Sequence, residues 1–180
     1  MRQTGGVRRA FLLSIMFAAG LLGGCQKSSP LPVTVDANPL ATLPTQAQPR
    51  LQTVKLYLGA ETIEAELALT PRQIQTGMMF RTNIPETDTM LFNLQIPQRA
   101  NFWMKNCPES ISAAYISPDG VIQEIHHLEK NDTNGVVAAR DDIVFVLETK
   151  DGWFGRHNIG VGTLITSEKG PLAQVFLRRR

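Results

Sequence analysis

The sequence has few cysteines, no long apolar run and little excess charge, and each of these shortages excludes a class of protein. It has only two cysteines in 180 residues, Cys25 and Cys107. Its N-terminal apolar run, residues 10–22, is too short to be a membrane span. Its basic surplus is small, with 18 Lys and Arg against 16 Asp and Glu. No basic face therefore indicates nucleic acid, and we expect no nucleic-acid partner.

The first 25 residues have the order of parts of a bacterial secretion signal. Three arginines precede the apolar run, which ends in Leu22-Gly23-Gly24-Cys25. That ending resembles the lipobox of bacterial lipoproteins, in which cleavage precedes the cysteine and its sulfur receives a diacylglyceryl group. We expect Cys25 to be the lipid attachment site, anchoring the protein to a membrane surface on the periplasmic or extracellular side of the bacterial cell envelope. An ordinary signal peptide with an incidental cysteine, or an uncleaved anchor, is the alternative.

Loss of this leader changes the charge and the thiol inventory. The rest of the chain carries 15 basic and 16 acidic residues, a net charge of −1. With Cys25 lipidated, Cys107 is alone and no intrachain disulfide is available. A lone thiol survives best in an oxidising envelope when it is buried.

The remaining chain divides into a tether, one domain and a tail. Residues 26–50 are rich in Pro, Ser, Thr and Ala without apolar periodicity, and we expect a disordered tether. Residues 51–168 are one domain by size, and residues 169–180 are expected to be a C-terminal tail.

Short apolar and alternating stretches predict a mainly β domain. Strands are expected at residues 51–59, 61–69, 89–94, 101–104, 111–117, 121–128, 143–149 and 163–167. In the second, alternation directs Ile63, Ala65, Leu67 and Leu69 inward and Glu64 and Glu66 outward. The stretch from Ile143 to Thr149 is apolar on both faces and predicts a central, fully covered strand. Local hairpins favour a small antiparallel barrel or a two-sheet sandwich.

Two short helices complete the prediction. The first begins with Thr70 as the cap, Pro71 at the first helical position and Gln73 closing a capping box, and runs to about Met79. The second is expected at residues 151–157, capped by Asp151.

Several motifs, taken in order, resemble one family. They are LTPRQIQTGMMFR (residues 69–81), Met90-Leu91-Phe92, Phe102-Trp103-Met104-Lys105-Asn106, residues 115–120, Val146-Leu147-Glu148, Gly152-Trp153 and Gly160-Val161-Gly162. Together, over about residues 51–165, they resemble the domain of unknown function 192 family (DUF192). The resemblance implies a small mainly β fold, often in secreted or anchored proteins, and no established activity or cofactor.

Three positions depart from the family pattern. Cys107 stands where the family has Thr, Ser112 where it has Asp, and Thr89 where it has Gly. If that Asp were catalytic in the family, this chain would lack the catalytic group.

The thiol and the histidines are weak candidates for chemistry. No motif around Cys107 resembles a cysteine-hydrolase elbow, so a small buried residue is the favoured interpretation. Met, Cys and His side chains would suit a soft ion such as Cu(I). However, His126 and His127 are adjacent on a strand and point to opposite faces, so we assign no metal site and no cofactor.

The favoured site is a cluster of polar residues at the ends of strands. Arg81, Lys105, Asn106 and Glu148 are expected to meet at one end of the domain, with an ion pair between Glu148 and either Lys105 or Arg81. Trp103 would form an apolar wall of the site, yet its place in an apolar strand also predicts that it is largely buried and anchors the core. These five residues form the predicted ligand-binding site, and a purely structural ion pair that closes one end of the barrel is the alternative.

The leading hypothesis is an envelope lipoprotein whose β domain binds a small ligand or an envelope protein. The first alternative is an enzyme, such as a hydrolase, that uses Lys105, Asn106 and Glu148, although catalytic residues are not identified. The second is a copper-binding module. A deep cleft with converging polar groups would favour a ligand or substrate, and a flat apolar patch a partner.

Overall fold

The computed structural model describes residues 42–177. Cys25 and the predicted leader lie outside that range. The strands are β1 Thr53–Leu58, β2 Glu61–Ala68, β3 Thr89–Gln98, β4 Asn101–Phe102, β5 Ile111–Ile116, β6 Ile122–Leu128, β7 Val136–Val137, β8 Ile143–Lys150, β9 Ile165–Ser167 and β10 Gly170–Pro171. The helices are α1 Pro71–Thr76, α2 Trp153–Arg156 and α3 Leu172–Phe176. The mainly β prediction is confirmed.

Eight strands form one curled half-barrel sheet in the order β10-β9-β1-β2-β3-β8-β5-β6, and β4 pairs with β7 in a second, small sheet. Every pairing within these sheets is antiparallel except that of β2 with β3, which is parallel. Parallel neighbours need a crossover connection, and the segment containing α1 supplies it. The local hairpins visible in the sequence could not reveal this pair.

The large sheet buries apolar side chains on both faces. One cluster includes Leu56, Leu91, Leu147 and Trp153. The other packs side chains of the sheet, such as Phe92 and Val146, against the chain that follows α1. The central strand β8 is buried from residue 143 to residue 149, as its apolar sequence predicted. The candidate site belongs to the second cluster.

Helix α1 begins as the sequence predicts and ends earlier. The Gln73 N–H donates to the Thr70 side chain, and the Gln73 side chain accepts from the Thr70 N–H, so the capping box is complete. The helix stops at Thr76, because Gly77 takes a positive φ of 48°. Few other residues adopt such a conformation without strain. The chain therefore leaves the helix one turn before Met79 and enters the second cluster.

Both ends of the domain reach beyond the predicted limits. The Gln48 side chain donates to the carbonyls of Gln73 (3.2 Å) and Gly77 (2.9 Å) in and after α1. At the other end, α3 buries Leu172 completely, and Asn93 donates to the Phe176 carbonyl at 3.2 Å. Segments with little apolar periodicity of their own are thus fixed to the domain by long-range contacts.

The second predicted helix is wrong in its cap and its length. Helix α2 covers only Trp153–Arg156 and has no side-chain cap. Gly152 occupies the cap position in the left-handed region, with φ 72°. Asp151 instead interacts with His127 and Ser112, which lie on neighbouring strands. Within residues 42–177, no helix is long and apolar enough to cross a membrane.

Candidate functional site

A cavity of about 170 Å³ opens beside the C-terminal end of α1. Met78, Phe92 and Phe102 contribute to its apolar wall, Trp103 lies on it, and Glu148 supplies a carboxyl group. An apolar cavity of about 150 Å³ is large enough to hold benzene. The cavity therefore has room for a small ring or a branched aliphatic group.

Glu148 lies on β8, between two strands at the centre of the sheet. Its Cα neighbours across the two flanking strands are Met90 on β3 and Ala113 on β5, both fully buried. The residue is 4% exposed, and its Oε2 atom has no hydrogen-bond partner among the described residues. Buried polar atoms in folded proteins almost always have a partner, and leaving one without costs about 1–3 kcal/mol or more.

This burial shifts the pKa of the Glu148 carboxyl group. Burial raises the pKa of Glu148 to about 8, and the positive charge of Arg81 opposes that rise only in part. Near pH 7 most of the molecules with an empty cavity therefore carry a neutral Glu148. The Cys107 thiol lies on the same cavity. Burial first, and the charge of Glu148 second, raise the pKa of Cys107 to about 12, so its thiol is neutral and a poor nucleophile.

The predicted ion pair between Arg81 and Glu148 is wrong. The Arg81 guanidinium holds both oxygens of Glu66, at 2.7 and 2.9 Å. Arg81 is 8% and Glu66 5% exposed. Glu66 was predicted to face solvent because it alternates with the apolar residues of β2. It is buried because two arginines from distant parts of the chain close over it.

The second of those arginines belongs to the segment before β1. Arg50 bonds to Glu66 at 2.8 Å and to Asp88 at 2.8 Å. The Leu51 N–H also donates to Glu66 at 2.8 Å. Burial alone would raise the pKa of Glu66, but the hydrogen bonds from Arg81, the Leu51 N–H and Arg50 outweigh it and lower the pKa to about 2.

Lys105 and Asn106 have local partners. The Lys105 Nζ lies 5.5 Å from the centroid of the Trp103 ring, a cation–π arrangement. Asn106 has a positive φ of 60°, and its carbonyl accepts from the Phe80 N–H at 2.7 Å. The Cys107 N–H then donates to the Met104 carbonyl at 3.0 Å. Lys105 and Asn106 therefore form a turn that sets the position of Cys107.

Trp103 is not the buried anchor that the sequence predicted. It is 38% exposed, whereas Trp153 is 1% exposed and packs in the first core cluster. Strand β4 ends at Phe102, so Trp103 is already outside the ladder when it reaches the cavity wall. Met104 is buried and Phe102 partly buried. The sequence contains two tryptophans, and the exposed one, Trp103, has the more apolar neighbours in the sequence.

Of the five predicted site residues, Trp103 and Glu148 line the cavity. Arg81 influences Glu148 through its charge, Lys105 contacts Trp103, and the Asn106 backbone braces the adjoining turn. The prediction missed the role of Gly77. A Cβ atom there would lie 3.3 Å from the Phe92 ring and 3.8 Å from Glu148 Oε2. Gly77 lies within the predicted helix, and because glycine commonly ends helices it could have drawn attention to an earlier end.

The histidines do not form a metal site. His126 bonds to Glu124 at 2.8 Å, while His127 lies between Asp151 at 2.8 Å and Glu129 at 3.1 Å. Across the described range, no group of three or more His, Cys, Asp and Glu side chains is placed to hold a metal ion.

Ser112, which departs from the family pattern, bridges two elements. Its hydroxyl accepts from the Gly152 N–H at 2.9 Å and donates to Asp151 at 3.2 Å. Ser112 therefore braces the turn between β8 and α2.

Comparisons with known proteins place the domain in a family. Residues 54–167 match DUF192, described as an uncharacterized ancient conserved region, and the chain belongs to that family. No curated protein matches the chain.

Two solved structures are similar in fold. One is a putative transcription regulator from Sinorhizobium meliloti 1021, at 24% identity and a TM-score of 0.63, covering 67% of this chain and 98% of that one. The other is a protein of unknown function from Novosphingobium aromaticivorans DSM 12444, at 27% identity and a TM-score of 0.61, covering 66% of this chain and 89% of that one. The likeness to the first concerns fold alone.

Proposed function

We propose that this DUF192 protein binds a small organic molecule in the cavity beside α1. The observation that carries the proposal is Glu148 Oε2, a buried carboxyl oxygen without a partner in the described domain, on a cavity of mixed polar and apolar lining. Its desolvation costs stability, and a ligand that donates a hydrogen bond or carries charge would recover part of that cost. A flat apolar surface for a protein partner would need no such group.

Binding is favoured over catalysis by the chemistry of the lining residues. The Cys107 thiol is neutral, and Lys105 and Asn106 are not among the described residues that line the cavity. A nucleophile needs a base within hydrogen-bond reach. The other side chain on the cavity able to accept a proton is Glu148, which is mostly protonated near pH 7.

We also propose that the domain acts at a membrane surface of the bacterial envelope, held there by lipid on Cys25. The leader supports this proposal, because its sequence has arginines, an apolar run and a lipobox-like end in that order.

The binding proposal is tested on the full chain carrying Cys25→Ser, in which Cys107 is the remaining thiol. The probes are benzyl alcohol, benzylamine and benzoate, which share one ring and differ in charge. We expect at least one to change the tryptophan fluorescence saturably, because Trp103 lies on the cavity.

Two substitutions at one position provide the control. Cys107→Ser removes the thiol without filling the cavity and should keep the fluorescence response, whereas Cys107→Leu fills it and should abolish the response. Near-ultraviolet circular dichroism confirms that each variant is folded. If none of the three probes produces a saturable change in fluorescence, the cavity is not a binding site and the proposal is wrong.

A further inference from the structure

Resting on this proposed function, we propose that the ligand is an organic cation: an amine or ammonium group on a small apolar body, with the charged end against Glu148. Among the molecules small enough for the cavity, the arrangement of its lining favours this class of ligand. Three features carry it: the sign of the available charge, the aromatic wall, and the commitment of the nearest arginine elsewhere.

The charge that the cavity can offer is negative. Glu148 is the one carboxyl group on its lining, and no described Lys, Arg or His side chain is part of that lining. An anionic ligand would therefore find no cationic side chain on the lining and would lie against the Glu148 carboxyl group, which is unfavourable. A cation would find a buried carboxylate, whose attraction is strengthened by the low local dielectric.

The aromatic rings add to this preference. Phe92, Phe102 and Trp103 lie on the cavity wall, and the faces of aromatic rings attract cations. Phe92 and Phe102 meet edge to face, with centroids 5.1 Å apart. Trp103 already interacts with an ammonium group of this chain, that of Lys105. That contact shows that the ring accepts a cation, and an ammonium ligand inside the cavity would be attracted to Phe92 and Phe102 as well.

Arg81 does not neutralise Glu148. Both of its terminal nitrogens are held by the two oxygens of Glu66. Two further titratable groups feel the charge of Glu148, the Cys107 thiol and the Tyr115 hydroxyl. Burial raises the pKa of both, so both are neutral near pH 7, and the Tyr115 hydroxyl donates to the Val136 carbonyl. The negative charge of an ionised Glu148 is therefore left for a ligand.

Binding of a cation must then be coupled to a proton. With an empty cavity, Glu148 has a pKa of about 8. A cation favours the ionised carboxylate, so its binding displaces the proton from Glu148 to solvent. Between pH 6 and pH 7 the affinity for a cation should rise about tenfold, which is the limit for the release of one proton. A neutral ligand should show no such rise.

The test compares the same three ring compounds by isothermal titration calorimetry with the full chain carrying Cys25→Ser. We expect benzylamine to bind at least about tenfold more tightly than benzyl alcohol at pH 8, and benzoate to bind most weakly. The affinity for benzylamine should increase about tenfold from pH 6 to pH 7, since it remains protonated across this range. The affinity for benzyl alcohol should stay constant.

Glu148→Gln is the matched variant, because it keeps the shape of the side chain and cannot ionise. It should reduce the preference for benzylamine over benzyl alcohol to less than about threefold and remove the pH dependence, while benzyl alcohol still binds. If benzyl alcohol or benzoate binds the wild type as tightly as benzylamine does, the cation inference is overturned while the binding site stands. An unchanged preference in Glu148→Gln would overturn it as well.

Discussion

Replacement of Glu66 by Gln should remove an acid-sensitive part of the stability of the domain. Contacts with Arg81, the Leu51 N–H and Arg50 lower the pKa of Glu66 from 4.5 to about 2 in the folded protein. That difference of about 2.5 pH units corresponds to about 3–4 kcal/mol, because one unit is worth about 1.4 kcal/mol. Since the folded-state pKa is the lower one, this stability is fully present above about pH 5 and is lost as the pH falls through about 2.

Urea denaturation of the wild type and of Glu66→Gln between pH 7 and pH 3 measures this contribution. The difference in their free energies of unfolding should shrink by about 2 kcal/mol across that range, because Glu66 still contributes about 1.4 kcal/mol at pH 3. Glu64→Gln, on the same strand but exposed, should change stability at pH 7 by less than about 0.5 kcal/mol. A difference between wild type and Glu66→Gln that does not depend on pH would refute the reasoning.

Three further predictions concern other parts of the chain. Glu148→Gln should gain stability relative to the wild type as the pH rises from 5 to 9 in urea titrations, because the raised folded-state pKa of Glu148 makes its ionisation destabilising; a constant difference would contradict this. Trp153→Ala should cost about 3–5 kcal/mol and Trp103→Ala less than half as much, and the reverse order would show that the core has been assigned wrongly. Cys25→Ser should move the protein out of the membrane fraction or leave the precursor unprocessed, and fractionation and migration like those of the wild type would exclude lipidation.

Local chemistry made some elements predictable. The capping box at Thr70 and Gln73 depends on residues three apart, and it forms as expected. The apolar stretch from Ile143 to Thr149 is covered on both faces, so its composition was enough to identify the central strand. Its position between β3 and β5 depends on pairings with residues far away in the chain.

Other features depended on contacts that no local pattern contains. Glu66 follows the alternation of an outward residue, yet Arg50 and Arg81, which lie 16 and 15 residues away, enclose it. The parallel pairing of β2 with β3 likewise depends on the crossover through α1. Such contacts are decided by tertiary structure and override the alternation within a single strand.

The candidate site was predictable in part. The sequence singled out Glu148 at the end of a covered strand, and the structure buries its carboxyl group beside the cavity. The expected ion pair between Glu148 and Arg81 does not form, because Arg81 binds Glu66 instead. No pattern in the sequence indicates that pairing. Glu148 Oε2 therefore has no hydrogen-bond partner among the described residues because of long-range contacts, which the local sequence does not reveal.

The most direct test of the central claim is a crystal structure of the full chain carrying Cys25→Ser, soaked with benzylamine at about pH 8. The account predicts that the ring lies in the cavity between Phe92 and Trp103, and that the amine nitrogen is within about 3.2 Å of Glu148 Oε2. It would be contradicted if the cavity is filled by a side chain of the protein and Glu148 is bonded to a neighbouring group, with the amine absent from the site.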